Sequence, residues 1–320
     1  MKKITKITGI KSVDFIIEAS GRGVVNWNGN TPLWSREANK VIKNHTMPKL
    51  RGYTSMSGKF KENGFEFPKD AHQVNFQETP MYISQNCIRH FLFRQNSHDL
   101  HFATKENAAE ILVSLVGLLR GYVIPACEYS RTSPLLISDF VDQLGNGNYE
   151  QFTQAGTRDS TSLFSKTTFG KTQYLATGSI NIENLQFISL DRKFGKTALE
   201  IKTNEGSQIA KNIEIFLQSL TTKKLKPVAT FHENYVRRGT IFNEGENGIL
   251  LNNDAIEILV DYTLDLVRNL SIASQGKGNM WVTSVVVDYN DSDMPVRVEQ
   301  DIENISNVPS SKYAVYFEAV

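Results

Sequence analysis

Residues 10–19, IKSVDFIIEA, set the fold class of this chain. Val13, Phe15 and Ile17 alternate with Ser12, Asp14 and Glu18, the period of a strand that buries one face. After it, from Ser20 to about Pro80, comes a long segment rich in Gly, Asn and Lys with no clear period. Ile88, Phe91 and Leu92, following Thr79-Pro80, predict a helix over about 83–96, and a second helix is predicted over about 105–119. Gly145-Asn146-Gly147 marks a turn. Ser179 to Leu190 alternates as a strand, 208–220 reads as a helix, and TTKKLKP (221–227) as a hinge or linker. The best-defined helix starts at Asn252 or Asn253 as N-cap and carries Ile256, Leu259, Val260, Leu264 and Val267 on one face. Strands are predicted over 281–289, 294–300 and 312–318. This order of strand, long insertion, helix, strands, helix, strands is α+β. It permits a ferredoxin-like βαββαβ core with large insertions.

With 320 residues the chain can bury a full core, as one large domain or two modest ones. Its 40% hydrophobic and 22% charged content is that of a globular protein. The longest apolar tract, Ile111 to Cys127, is too short to span a membrane and is interrupted by Arg120; it reads as a buried helix followed by a strand. MKKITKITGIKS has positive charge but no apolar core of a secretory signal. Two cysteines, Cys87 and Cys127, give no disulfide framework and suit the reducing cytoplasm.

Net charge is +1, but it is unevenly spread. Residues 1–52 carry ten Lys/Arg against three acids, whereas 243–320 carry four against thirteen. A basic head and an acidic tail attract each other, either between copies, building an open head-to-tail filament, or within one subunit.

The segment Phe152–Tyr174, FTQAGTRDSTSLFSKTTFGKTQY, holds nine Ser/Thr with Arg158, Lys166 and Lys171 and a single acid, Asp159. Phe164, Phe169 and Tyr174 recur every five residues. Hydroxyls and cations suit phosphate and sugar oxygens, and rings offer bases a stacking surface, so a single-stranded nucleic acid fits this composition. A polar loop whose aromatics fold into the core has the same composition. SQNCIRHFLFR (84–94) gives a helix with hydroxyl and amide groups at its N-terminus and Arg89, His90 and Arg94 off the apolar face. Leu-Arg-Gly-Tyr at 50–53 and 119–122, and NYVRRG at 234–239, again place guanidinium groups beside tyrosine and glycine.

Other motifs are incomplete. Phe-Gly-Lys-Thr at 169–172 and 194–197 lacks the first glycine of a phosphate-binding loop, which Ser165 and Leu190 replace. Asp288, Asn290, Ser292 and Glu299 match a calcium-loop spacing, but Asp293 stands where glycine is required, so a hairpin with acidic turn residues is expected. Cys87, His90, His98 and His101 match no familiar zinc spacing. No cofactor and no catalytic constellation is read from the chain.

Taken together, SVDFIIEASGRGVVNWNG (12–29), NHTMPKLRGYT (44–54), ETPMYISQNCIRHFLFR (78–94), RTSPLLISDFVDQLGNGN (131–148), QAGTRDSTSLFSKTTFG (154–170), NYVRRGTIF (234–242) and VDYNDSD (287–293) resemble the repeated backbone subunit of a type I CRISPR Cascade complex, in the minimal type I-F variant. The resemblance implies a RAMP protein: one domain over 1–320 with a modified RRM-like palm, a finger-like insertion at about 20–80 and a thumb-like one at about 145–178. It implies a non-catalytic, cytoplasmic scaffold that polymerises head-to-tail along the spacer of a crRNA and presents guide bases to target DNA. The implied partners are crRNA, further copies of itself, a guide 5′-end cap subunit, a crRNA-processing endoribonuclease and a recruited helicase-nuclease, with no membrane. Guide phosphates are expected at Ser84, Gln85, Asn86, Arg89, His90 and Arg94, and the RNA is expected to run along Arg22, Asn26, Trp27 and Asn28. Arg51, Arg131, Arg237 and Arg238 extend the RNA-binding set. Phe164 or Phe169 is the expected base-displacing wedge, with Lys166 and Arg158 near phosphates. Residues 20–50 hold one acid, Glu37, and no Asp, where related type III subunits carry a catalytic Asp. The alternative is a RAMP-type endoribonuclease using His45, His90 or His232.

Overall fold

A computed structural model describes residues 6–26, 31–35, 40–44, 80–94, 99–145, 170–193, 197–202, 204–274 and 278–320. The first strand, β1 (Ser12–Gly23), is the centre of the main sheet. A hairpin of β2 (Thr31–Ser35) and β3 (Lys40–Asn44) follows, then β4 (Tyr82–Ile83) and α1 (Gln85–Leu92). The short strands β5 (Tyr122–Ile124), β6 (Tyr129–Arg131), β7 (Leu135–Ile137) and β8 (Phe140–Asp142) precede the long β9 (Lys171–Asn181). Then come α2 (Ile182–Gln186), β10 (Phe187–Ser189), α3 (Gly206–Ser219), β11 (Ala229–Arg237), β12 (Glu246–Leu251) and α4 (Asn253–Arg268). The chain finishes with β13 (Ser271–Ser274), β14 (Gly278–Asn290), α5 (Arg297–Gln300) and β15 (Phe317–Ala319).

The main sheet is antiparallel in the order β13-β14-β1-β9-β8-β4, with β7 also on β9. A smaller sheet runs β10-β12-β11-β15. Val13, Phe15, Ile17 and Ala19 point into one buried cluster that also holds Ile256, Leu259, Val260, Leu264 and Val267 of α4. Phe15 sits opposite Gly178, where a Cβ would lie 2.2 Å from its ring, so the glycine makes room for the phenyl group. The expected α4 cap is present: Asn252 Oδ1 accepts from Ala255 N at 2.9 Å.

Several sequence expectations need correction. The strand expected over 179–190 stops at Asn181, whose Oδ1 accepts from Asn184 N at 2.8 Å and starts α2 instead. The helix expected over 105–119 is two tight turns, 3-10 at Ala108–Val113 and π at Val116–Arg120. Ser114 is extended between them, its Oγ donating to Ile111 O at 2.6 Å and accepting from Gly117 N at 3.2 Å. TTKKLKP is no hinge, because Lys223 pairs with Glu257 and Asp261 and the Lys226 amide donates to Asp254, tying the segment to α4. Of the strand expected over 312–318, only Phe317–Ala319 forms, with Tyr313 bridged to Ile10. The segment expected to be irregular from Ser20 contains the end of β1 and the β2-β3 hairpin.

The strand expected over 294–300 is α5, and the acidic turn is not a hairpin. Here charge overrides alternation. Arg297 Nη2 and Nε hold Asp288 at 2.7 and 2.9 Å, and Nη1 reaches Asp291 at 3.0 Å. The preceding Val296 is left-handed at φ 49, an unusual conformation for a β-branched residue. Asp288 lies opposite Asp14 across β1 and β14, and both are fully buried. Asp14 accepts from Ser179 Oγ at 2.6 Å and from Asn290 Nδ2 at 2.9 Å. This polar knot lets α5 cover one end of the sheet face opposite the core. Lys11 also pairs with Asp293, so part of the basic head and acidic tail meet within one subunit.

Candidate nucleic-acid interface

The face of the main sheet away from the core is formed by even-numbered residues of β1: Asp14, Ile16, Glu18, Ser20 and Arg22. Beyond α5 this face is open. On β14 a bulge intervenes, since Glu18 pairs with Ser284 but Ala19 with Val282, leaving Thr283 extra. Thr283 Oγ1 donates to Glu18 O at 3.1 Å and closes the bulge. Because strand faces alternate, one extra residue reverses every later side chain. Met280 is therefore turned to the core, and Trp281 and Asn279 to the open face. Trp281 keeps 41% of its surface exposed and lies between Ser20 and Ser271, two small cross-strand neighbours. An indole held this way offers a base a flat shelf.

Two positions along, Arg22 pairs with Lys171 on one side and Asn279 on the other. Arg22 and Lys171 are both exposed, and neither makes an ion pair among the described residues. Like charges directly opposite one another on antiparallel strands repel, and an anion between or above them would relieve that repulsion. Trp281, Arg22, Lys171, Asn279 and Gln173 thus form one polar surface with a ring at its side.

The large insertions leave from this same end. Gly23 N donates to Gly170 O at 2.9 Å, joining the exits of β1 and β9. The buried Asp142 accepts from Gln173 N at 3.0 Å and from Gly145 N at 3.3 Å, fixing both stems of the 146–169 segment. Asn26, just past β1, reaches α1: its Oδ1 accepts from Ser84 N at 3.0 Å and Ser84 Oγ at 3.2 Å. Asn26 and Ser84 are thereby joined, bringing the end of β1 to the start of α1.

The α1 N-terminus is already well supplied with acceptors. Ser84 Oγ accepts from Cys87 N at 3.4 Å, and Asp139 accepts from Gln85 N at 2.8 Å. Arg89 turns inward, donating to Leu135 O at 3.3 Å and to Arg120 O, and burial lowers its pKa. Arg131 is likewise enclosed, bonding the carbonyls of Gly117, Leu118 and Asn184, and desolvation pushes it down to about 10. Each of these two guanidinium groups ties separate backbone turns together. Arg89→Ala is expected to cost about 1–3 kcal/mol of stability through orphaned carbonyls, read by denaturant unfolding; an unchanged midpoint would show that water replaces the guanidinium.

Asn86 and His90 are exposed on α1, and Arg94, just past its end, is exposed and lies over the Phe91 ring at 6.0 Å. Arg237 and Arg238 lie elsewhere, on β11 and the turn after it. Trp27, Asn28, Arg51, Arg158, Phe164, Lys166 and Phe169 lie outside the described residues, as does His45. His90 sits edge-on to Phe91, whereas His232 Nδ1 accepts from Asn234 N at 3.1 Å within its own strand. Among the described residues no His/Cys/Asp/Glu group could hold a metal, and no helix is long and apolar enough to cross a membrane.

Trp281 and Asn279 were not selected from sequence. GNMWVTS reads as one end of a strand, and the bulge that exposes the indole has no mark in the alternation. A tryptophan with Ser, Thr and Asn at the surrounding positions is the one available signal.

The model of the family described as Type I-Fv CRISPR-associated protein Cas7fv-like matches residues 9–320, nearly the whole chain. No curated protein matches the chain.

Proposed function

The chain belongs to the type I-Fv CRISPR-associated Cas7fv-like family, and from that premise we propose that it is the RNA-binding backbone of the effector, a scaffold and not a nuclease. Copies polymerise head-to-tail along the spacer of a crRNA, in the cytoplasm. The protein holds the guide through backbone and shape, and guide bases pair with target DNA. The 5′-cap subunit, the crRNA-processing endoribonuclease and the helicase-nuclease complete the assembly, and cleavage falls to the last. In this reading the thumb-like element lies within the insertion expected at about 145–178, whose residues from Lys171 onward belong to β9, and Phe164 or Phe169 is the wedge.

The open sheet face carries the reading. Trp281 offers stacking, Arg22 and Lys171 offer paired charge, and the stems of the proposed finger and thumb leave beside them. The strand order supports an RRM-like palm: β14-β1-β9-β8 is antiparallel, with α1 between β1 and β8 in the chain and α4 between β9 and β14. In RRM domains the face opposite the helices stacks bases on aromatic side chains.

Trp281→Ala tests the assignment. It is expected to weaken single-stranded RNA binding by about 1–3 kcal/mol regardless of sequence, with a smaller loss of stability because 41% of the residue's surface is exposed in the fold. Fluorescence anisotropy with two unrelated RNA sequences reads the effect. Unchanged affinity for both would remove the sheet face from the guide path.

A further inference from the structure

Glu18 stands on the open sheet face beside the groups that carry the proposed function. The register places Ser284 on one side of it and Leu175 on the other, and neither brings a charge. The side chain is exposed and makes no ion pair among the described residues. Among the described residues of β1, β9, β13 and β14 that face this way outside the α5 knot, Glu18 is the one acid. A carboxylate repels phosphate and accepts hydrogen bonds without donating any. In a surface that otherwise attracts anions, it suits a different part of a nucleotide.

Three rows cross the face, about 7 Å apart along the strands. Arg22, Lys171 and Asn279 form the first, and Trp281, Ser20 and Gln173 the second. Glu18, Ser284 and Leu175 form the third. Trp281 pairs with Ser20 and is therefore a diagonal neighbour of Glu18, at a separation of about 7–8 Å that aromatic and long side chains span. The bond from Thr283 Oγ1 to Glu18 O at 3.1 Å ties the bulge that exposes the indole to the backbone of Glu18 itself. A nucleotide with its phosphate on Arg22 and Lys171 and its ring on Trp281 points the edge of its base away from the sugar. That edge meets the Glu18 row.

We propose that Glu18 reads the Watson–Crick edge of the base stacked on Trp281 and favours guanine there. The inference rests on the proposed function, which puts a base on that ring. Guanine presents two adjacent donors, N1–H and the N2 amino group, which a carboxylate accepts as a bidentate pair. Adenine and cytosine each present one amino group beside a ring-nitrogen acceptor. Uracil presents N3–H between two carbonyl oxygens, which the carboxylate repels. Stacking accepts every base, and Glu18 ranks them with guanine first and uracil last. A base held through this edge is withheld from the target strand, so the preference falls on a guide position that does no pairing.

The test titrates full-length protein into three short labelled RNAs: oligouridylate, alternating uridine and guanosine, and alternating uridine and inosine. Inosine is a purine like guanosine but lacks the N2 amino group, so this comparison separates the second donor from purine stacking. Wild type is expected to bind the guanosine RNA about tenfold more tightly than oligouridylate and about threefold more tightly than the inosine RNA. Glu18→Gln should close most of the guanosine–inosine gap. It should also gain affinity for oligouridylate, because an amide N–H can donate to a uracil carbonyl. A purely structural role for Glu18 would lower all three affinities together and leave their ratios in place. Equal binding of the guanosine and inosine RNAs by wild type, or ratios that survive Glu18→Gln, would overturn the proposal. So would a Glu18→Gln effect equal for all bases and absent from the 2′-deoxy oligonucleotides, which would assign the carboxylate to the ribose. Trp281→Ala separates the two readings: if it weakens all three RNAs while the wild-type ratios are flat, the proposed function stands and Glu18 reads nothing. If it changes no affinity, or wild type binds none of the RNAs, the proposed function fails and this inference fails with it.

Discussion

Arg22→Ala combined with Lys171→Ala is expected to lower affinity for single-stranded RNA about 100-fold, without loss of stability. Each cation supplies one charge-assisted contact worth about 1.5 kcal/mol or more, and two such contacts give that factor. The salt slope should fall by about 1.4, since each phosphate contact on a single strand contributes about 0.7. Stability should stay level or rise slightly, because the two side chains are register partners on β1 and β9 and repel in the absence of an anion. A combined loss of folding and binding would place the pair in the structural framework. Retained affinity with an unchanged slope would mean that the guide does not cross this end of the sheet.

Arg297→Ala should be the most damaging single substitution outside the apolar core, costing about 3–5 kcal/mol. It leaves Asp288 fully buried opposite Asp14 with no cation, and it frees α5 from the sheet. Arg297→Lys keeps the charge but cannot reproduce the bidentate contact with Asp288 and the reach to Asp291, so it should recover only part of the loss. Denaturant unfolding decides between these expectations. A cost below about 1 kcal/mol for the alanine variant would show that the carboxylates are reached by water and that the pair behaves like a surface one.

These two arginines show where sequence reading succeeds and where it stops. Arg22 was singled out through the family resemblance, in a segment following the first strand, and the structure places it within β1. Arg297 was not, because PVRVEQ has the alternation of a strand and its helical turn exists only once Asp288 and Asp291 stand nearby. Arg89 and Arg131 were read as surface cations for RNA; the carbonyls they bind come from turns 13 to 53 residues away. A side chain that meets such partners is invisible to any local window.

By itself the sequence determined the α+β class, the central strand, the cap and apolar face of α4, the hydroxyl-rich composition of 152–174 and the family likeness. Those depend on side-chain period, capping chemistry and composition, which are local properties. Tertiary structure decided which face of β1 stays open, that a bulge at Thr283 turns Trp281 onto it, and that Lys171 comes to stand beside Arg22. Those outcomes depend on strand register and on contacts between residues more than a hundred positions apart, where a shift of one residue reverses every side chain.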